Sequence, residues 1–253
     1  MKEKNTVWRN LRNTRLYKSI FRHDYDDTQK NRVLQIRSNI FLHIHPVRVP
    51  SHTAKMRFTW CMGGITFFLF LVEIITGVLL MFYYRPVTEY AYLDMKYLQF
   101  DVPFGIILRN LHRWAAHLMV FTVILHMLRV FLTGSYKPPR EFNWVVGVVL
   151  LILTFLLSFT GYLLPWDQLA YWAITVGTNM VRAAPFLGHE GPFAMVDKYN
   201  DVRFLFLGGS EIGESALLRF YVMHIVILPV FAVVFMGVHF WRIRKDGRIS
   251  RPL

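Results

Sequence analysis

Four histidines carry the chemistry in this sequence: His112 and His126 in one long apolar stretch, His224 and His239 in another. The first two are fourteen residues apart and the second two fifteen. On an α-helix turning about 100° per residue, either interval returns the side chain to roughly the same face, ~21–22 Å further along. If both stretches cross a membrane in the same sense, His112 lies level with His224 and His126 with His239. Neutral imidazole is an iron ligand, and two facing pairs at two depths are the ligand set for two six-coordinate haems stacked across a bilayer. A lone intramembrane histidine is more often a hydrogen-bonding core residue; four at matched depth argue against that reading. His117, five residues from His112, falls about 140° round the helix and is read as structural. His23, His43, His45, His52 and His189 have no spacing signature.

The other two apolar stretches carry glycines at the same interval. Gly63 and Gly77 are fourteen apart, as are Gly147 and Gly161. Removing Cβ lets a backbone approach something flat and wide. Bare helix packing also uses small residues, but it has no reason to copy the histidine interval. Arg109 and Arg113 bracket His112, and Arg129 follows His126; permanent bidentate cations suit haem propionates, with interfacial snorkelling the alternative. Glu73 sits mid-span, where a carboxylate is costly, so it is expected to face the interior; no role is assigned to it.

The elements that must position these residues follow from composition. Of 253 residues, 54% are hydrophobic and 18% charged, with a net charge of +13, which excludes disorder and an ordinary soluble domain. The apolar residues fall into four blocks, 58–84, 106–132, 142–164 and 217–241, each long enough to cross an about 30 Å hydrocarbon core as a helix. Their continuous apolarity argues against barrel strands. The expected fold is an all-α membrane protein: a four-transmembrane-helix bundle with haems in its core. A basic arm, 1–57, precedes a haem domain, 58–253. In the arm, Val33, Ile36, Ile40, Phe41 and Ile44 recur at helical spacing and predict an interfacial amphipathic helix; a solvated basic tail is the alternative. The arm contains no apolar run of the kind a secretory signal needs, so the first span is expected to act as its own insertion signal. Cys61 is the single cysteine, so no intrachain disulfide forms. Arm, 133–141 loop, tail and Arg129 hold 21 Lys/Arg against 8 on the opposite side. Both termini are therefore expected to be cytoplasmic, or on the equivalent negative side. Pro165, Pro185 and Pro192 divide the long external loop into pieces expected to hold surface helices.

Long ordered motifs make the chain resemble the cytochrome b6 family, the short, split form of cytochrome b in quinol-oxidising complexes: CMGGIT at Cys61, FYYRP at Phe82, LHRW at Leu111, ILHMLRVFLTG at Ile124, KPPREFNWVVGVV at Lys137, TGYLLPWDQLAYWA at Thr160, LLRFYVMHIVILP at Leu217 and MGVHFWRIRKDG at Met236. The fifteen-residue step from His224 to His239 is similar to the b6-type pattern. The resemblance implies one b haem on His112 and His224 towards the positive side and another on His126 and His239 towards the negative side. It also implies a third, c-type haem attached covalently to Cys61, which by itself reads as an inert thiol, and it places Arg244 near the third haem's propionates. Pro165, Trp166, Asp167 and Gln168 look like the wall of a quinol pocket; their local reading is a proline-terminated helix with an interfacial tryptophan. The arm is longer than in the plastid form, and residues 178–211 diverge from it.

The expected function is that of a transmembrane electron-transfer subunit of a quinol:cytochrome c or plastocyanin-type oxidoreductase. Electrons would pass from quinol across the membrane by two b haems and the covalent haem, coupled to proton translocation. The family's proton-accepting glutamate lies in a PEWY segment that this sequence lacks. The chain is thus expected to be catalytically incomplete alone. Expected partners are a second membrane subunit carrying PEWY, a Rieske iron-sulfur protein and a c-type cytochrome, in a dimeric complex with quinol and lipid and without nucleic acid. A bacterial inner membrane, or an equivalent energy-transducing one, is the expected location. The rivals are a different di-haem membrane anchor and a non-redox membrane protein whose histidines are polar glue.

Overall fold

A computed structural model describes residues 59–245 without a break and, ahead of them, residues 8, 10, 11, 13–20, 28–30 and 33. Apart from Val33, the expected arm helix lies outside the described residues, as does Phe58. No strand occurs among the described residues. The helices are α1 (Arg15–Ile20), α2 (Met62–Met81), α3 (Ala91–Phe100), α4 (Gly105–Leu132), α5 (Glu141–Leu163), α6 (Gln168–Arg182), α7 (Val202–Leu207), α8 (Glu214–Val222) and α9 (Leu228–Lys245).

Four helical stretches are long and apolar enough to cross a membrane: α2, α4, α5 and the continuous Glu214–Lys245, of 20, 28, 23 and 32 residues. Phe68, Ile75, Ile107, Phe121, Ile152 and Val230 stay exposed on them, as a lipid-facing surface requires. Two spans differ from expectation. The first span is shorter: Trp60 and Cys61 are left-handed, with φ of 52° and 50°, so the helical path opens only at Met62. It closes at Met81, where Phe82 and Tyr83 donate to the carbonyls three residues back ahead of Pro86. The fourth span is longer, running from Glu214 through a five-residue π turn, Met223–Ile227. Pro229 supplies the reason for that turn: it has no N–H, and its ring would collide with the carbonyl four residues back, at Ile225, in a regular α-helix. A wider turn relieves the clash and houses one extra residue. The fifteen-residue step from His224 therefore contains the one-residue insertion that separates it from the fourteen-residue step in α4.

The chain divides into two compact units. The first takes residues up to Gly64, 122–152 and 233 onward; the second takes 65–121 and 153–232. In the first, Arg242 is fully buried. Its Nη1 donates to the Ile20 carbonyl at 3.1 Å, and its guanidinium lies 5.1 Å from the centre of the Phe142 ring. Counted from sequence with the basic tail, this arginine is instead an interior tie between α9 and α1.

The second unit buries Leu163, Ile174, Leu207, Ala216 and Phe220 in one cluster and Tyr84, Ala91 and Leu217 in another; each large apolar side chain so buried contributes roughly 1.5–3 kcal/mol. Helices α6 and α7 lie in the long loop between the third and fourth spans, where helices are expected. Helix α3 was not expected. It buries Ala91, Asp94 and Leu98, an i, i+3, i+7 face interrupted by a carboxylate, which hid the period. Asp94 is matched by Arg85, whose backbone N–H and Nε reach Oδ2 at 2.9 and 3.0 Å.

The hydrogen bond from the Arg85 side chain, opposed by burial and reinforced by the Arg85 amide, holds the Asp94 carboxyl below the usual aspartate range. A lowered folded value stabilises the fold above the ordinary aspartate pKa of about 3.9, and that contribution is lost as pH falls through the lowered value. Asp94→Asn is expected to lower the thermal midpoint of the detergent-solubilised protein near neutral pH. Melts across a pH series should show the gap to wild type closing only below about pH 3.9.

Candidate haem sites

In the second unit, α4 presents His112 and the Glu214–Lys245 helix presents His224, with ring centres 6.2 Å apart and planes at 79°. Two imidazoles on opposite sides of one metal, with metal–nitrogen bonds of about 2 Å and roughly 1.1 Å more to each ring centre, sit ~6 Å apart, so the spacing fits a shared iron. Each ring is held by a threonine-glycine step on a neighbouring helix. Thr76 Oγ1 is 2.8 Å from His112 Nδ1, and Thr160 Oγ1 is 3.1 Å from His224 Nδ1. A hydroxyl has one hydrogen to give. Thr76 donates to Val72 O at 2.6 Å and Thr160 to Leu156 O at 2.8 Å, bonds that also satisfy the helix locally. Both threonines can then only accept from the imidazoles, which in the neutral ring puts the proton on Nδ1 and leaves a bare lone pair on Nε2. That is the tautomer an Nε2 metal ligand needs.

The glycines next to these threonines explain how close the rings come. A Cβ on Gly77 would stand 3.3 Å from His112 Cε1, and one on Gly161 would stand 2.6 Å from His224 Cε1. The first unit repeats the pattern, with the Gly63 position 3.2 Å from His126 Cε1 and the Gly147 position 3.8 Å from His239 Cε1, beside Met127 Sδ at 3.6 Å. His126 lies within electrostatic reach of both His239 and Arg129. All four glycines therefore face histidine edges, a sharper role than the general flat surface expected from spacing. Among the other helical glycines, Gly64 and Gly237 would meet nothing within 4 Å. Gly105 and Gly177 would meet Leu98 and Phe159 instead, so among the described residues only the fourteen-spaced glycines face histidines.

Other expected residues are placed as follows. Arg109 Nη1 donates to Gln99 Oε1 at 2.7 Å, and the Arg113 guanidinium lies 5.8 Å from the Trp114 ring centre. Arg129 is half-buried in the last turn of α4, and Arg244 lies partly buried in the last turn of α9. Cys61 is exposed and free immediately before α2. His117 sits edge-on to Trp114, with ring centres 5.7 Å apart, as a structural residue would. Asp167 caps α6, its Oδ1 accepting from the Ala170 N–H at 2.8 Å. Trp166 takes a left-handed φ of 51° and packs with Leu164 on the Tyr84 cluster, and the Tyr84 hydroxyl donates to Leu164 O at 2.7 Å. Pro165 and Gln168 flank these residues. Sequence reading missed the contact of Glu73 Oε2 with His112 Nδ1 at 3.0 Å; the i, i+3 spacing of Glu73 and Thr76 on one helix face was its available signal. It also missed His189, whose Nδ1 lies 2.6 Å from fully buried Asp201 Oδ2.

These features define an all-α, multi-pass membrane protein with four interior histidines set against glycines, two of them, His112 and His224, with Nδ1 on a threonine hydroxyl. Comparison with known proteins agrees: the cytochrome b/b6/petB family profile matches residues 47–247. The chain is 45% identical over 205 residues to cytochrome b6 of Tupiella akineta, covering 81% of this chain and 88% of that one. It is 42% identical over 209 residues to cytochrome b6 of Heliomicrobium gestii, covering 83% and 91%. Among solved structures, a chain of a hyperthermophilic respiratory Complex III aligns with a TM-score of 0.68 at 30% identity, over 77% of this chain and 49% of that one. The chain therefore spans about half the length of that structure's chain. It belongs to the cytochrome b family, whose prosthetic group is b-type haem, and family membership removes both rival readings.

Adding a methyl group at Gly161 must push the His224 ring aside, at about 1–3 kcal/mol for overpacking. Gly161→Ala is expected to lose most of one b haem, whereas Gly237→Ala retains both. Pyridine haemochrome counts per purified chain measure the difference.

Proposed function

We propose that this chain is the haem-bearing electron-transfer subunit of a membrane quinol oxidoreductase. The observation that carries the reading is the His112–His224 pair: two rings 6.2 Å apart, each with Nδ1 facing an accepting threonine. A haem held between such imidazoles supplies one-electron redox chemistry. What the chain contributes is ligand position, ligand tautomer and a low-dielectric surround.

In this reading His126 and His239 hold a second haem in the first unit, each against its glycine. Arg109, Arg113 and Arg129 neutralise propionates, and Arg244 does so for a third haem linked to Cys61. Cys61 stands two residues before Gly63, which faces His126, and its exposure leaves the thiol accessible. Pro165, Trp166, Asp167 and Gln168 wall the quinol site; the Asp167 cap and the Tyr84–Leu164 bond give that wall a fixed backbone. Residues 1–57 form a basic arm and 58–253 the haem domain, with both termini on the negative side of an energy-transducing membrane. The assembly is a dimeric complex in which a second membrane subunit brings the PEWY carboxylate, a Rieske protein takes one electron from quinol and a c-type cytochrome accepts it onward.

Histidine variants test the pairing. His112→Ala and His224→Ala are expected to lose the same b haem, and His126→Ala and His239→Ala the other, each by about one haem per chain in reduced-minus-oxidised spectra. Loss of different haems within a pair would overturn the assignment. For Cys61, a denaturing gel stained for haem peroxidase activity should show a band at the 29.9 kDa chain that Cys61→Ser abolishes while both b haems remain. An unstained wild-type band would make Cys61 a packing residue.

A further inference from the structure

Glu73 is the one carboxylate in the middle of α2. It is largely buried, its side chain 13% exposed, with Oε2 3.0 Å from His112 Nδ1. Its Oε1 is buried with no hydrogen-bond partner. The Nδ1 hydrogen is already claimed by Thr76 Oγ1, so Glu73 lies beside that bond. Such a carboxylate is expensive in a membrane interior unless a positive charge offsets it. As an iron ligand, the side chain it touches is a neutral imidazole, with Nδ1 on Thr76. His224 has the matching threonine but no such carboxylate, so the two ligands of this site differ by this group.

We propose that Glu73 is a positioning residue for redox poise: its carboxylate is the electrostatic partner of the iron bound by His112, and stabilises the oxidised state over the reduced one. The inference rests on the haem reading above. A haem iron with two neutral imidazoles carries one net positive charge over the porphyrin when ferric and none when ferrous. A negative charge beside the ligand ring therefore favours the ferric form. Groups that contact a metal-bound histidine from outside the coordination sphere are a recognised means of tuning a metal. Reduction adds one electron to the iron, and no bond at Glu73 forms or breaks.

The test uses the full chain, haem-loaded, in its native membrane or purified complex. Potentiometric titration of the haem α-band gives one midpoint for each b haem, and the haem lost in His112→Ala identifies the relevant one. Glu73→Gln, which keeps size and an acceptor oxygen but removes the charge, is expected to shift that haem's redox equilibrium about tenfold towards reduction, 59 mV upward for a one-electron couple, and to leave the other midpoint in place. Glu73→Asp, which keeps the charge, should shift it less than Glu73→Gln does. An unchanged midpoint in Glu73→Gln with both haems bound overturns the proposal, as does an equal shift at both haems. Loss of the His112 haem in both variants also overturns it, by marking the side chain as a structural prop. A wild-type chain without any b haem would instead overturn the functional reading itself, so the two failures are distinguishable.

Discussion

The arrangement depends on one steric constraint: the four interior histidines set their ring edges against neighbouring helices where glycines leave out a Cβ. Gly63, Gly77, Gly147 and Gly161 each stand with the site of their missing Cβ 2.6–3.8 Å from a histidine Cε1. A Cβ at Gly161 must move the ring and one at Gly63 or Gly77 would press on it, whereas at Gly147 it would meet the ring in ordinary contact; where the ring stands sets where a metal can bind. The glycine interval on α2 and α5 must therefore copy the histidine interval on the helices opposite. In the fourth span, where the histidine interval is one longer, the π turn at Met223–Ile227, imposed by Pro229, takes up the difference.

Position alone does not make a ligand; the free lone pair must face inward. Thr76 and Thr160 settle this by spending their only hydrogens on the carbonyls four residues back, which leaves them as acceptors for the imidazole Nδ1–H. One Thr-Gly step thus performs two tasks, the glycine admitting the ring and the threonine fixing its proton. Around this centre, packing in the second unit is carried by compact clusters built on Leu163, Ile174, Leu217 and Phe220, while the remaining helix surface is apolar and open to lipid. Asp94 and Asp201, buried in the segments joining the spans, are matched by Arg85 and His189.

The spans and the four histidines were legible because their signals are periodic and long: helices of 20–32 residues and intervals that survive small errors in boundary. The glycines were legible because they share that interval. What escaped was set by pairs remote in sequence or by a buried charge inside an amphipathic pattern. Helix α3 places Asp94 where an apolar residue would have advertised a helix, and only the partner Arg85 makes that burial tolerable. The contact of Glu73 with His112 joins residues on different helices; the i, i+3 placement of Glu73 and Thr76 marks their shared face but not the partner across it. Arg242 reads as tail charge until the Ile20 carbonyl and the Phe142 ring are seen around it. The start of the first span was misjudged because left-handed Trp60 and Cys61 hold off the helix where hydropathy alone would let it run.

The central claim, two separate paired-histidine haem sites in one chain, is tested most directly by stoichiometry. Purified wild-type protein should yield two b haems per chain extractable into acidified acetone, measured as the pyridine haemochrome against protein by amino-acid analysis. One extractable haem, or none, would contradict the account.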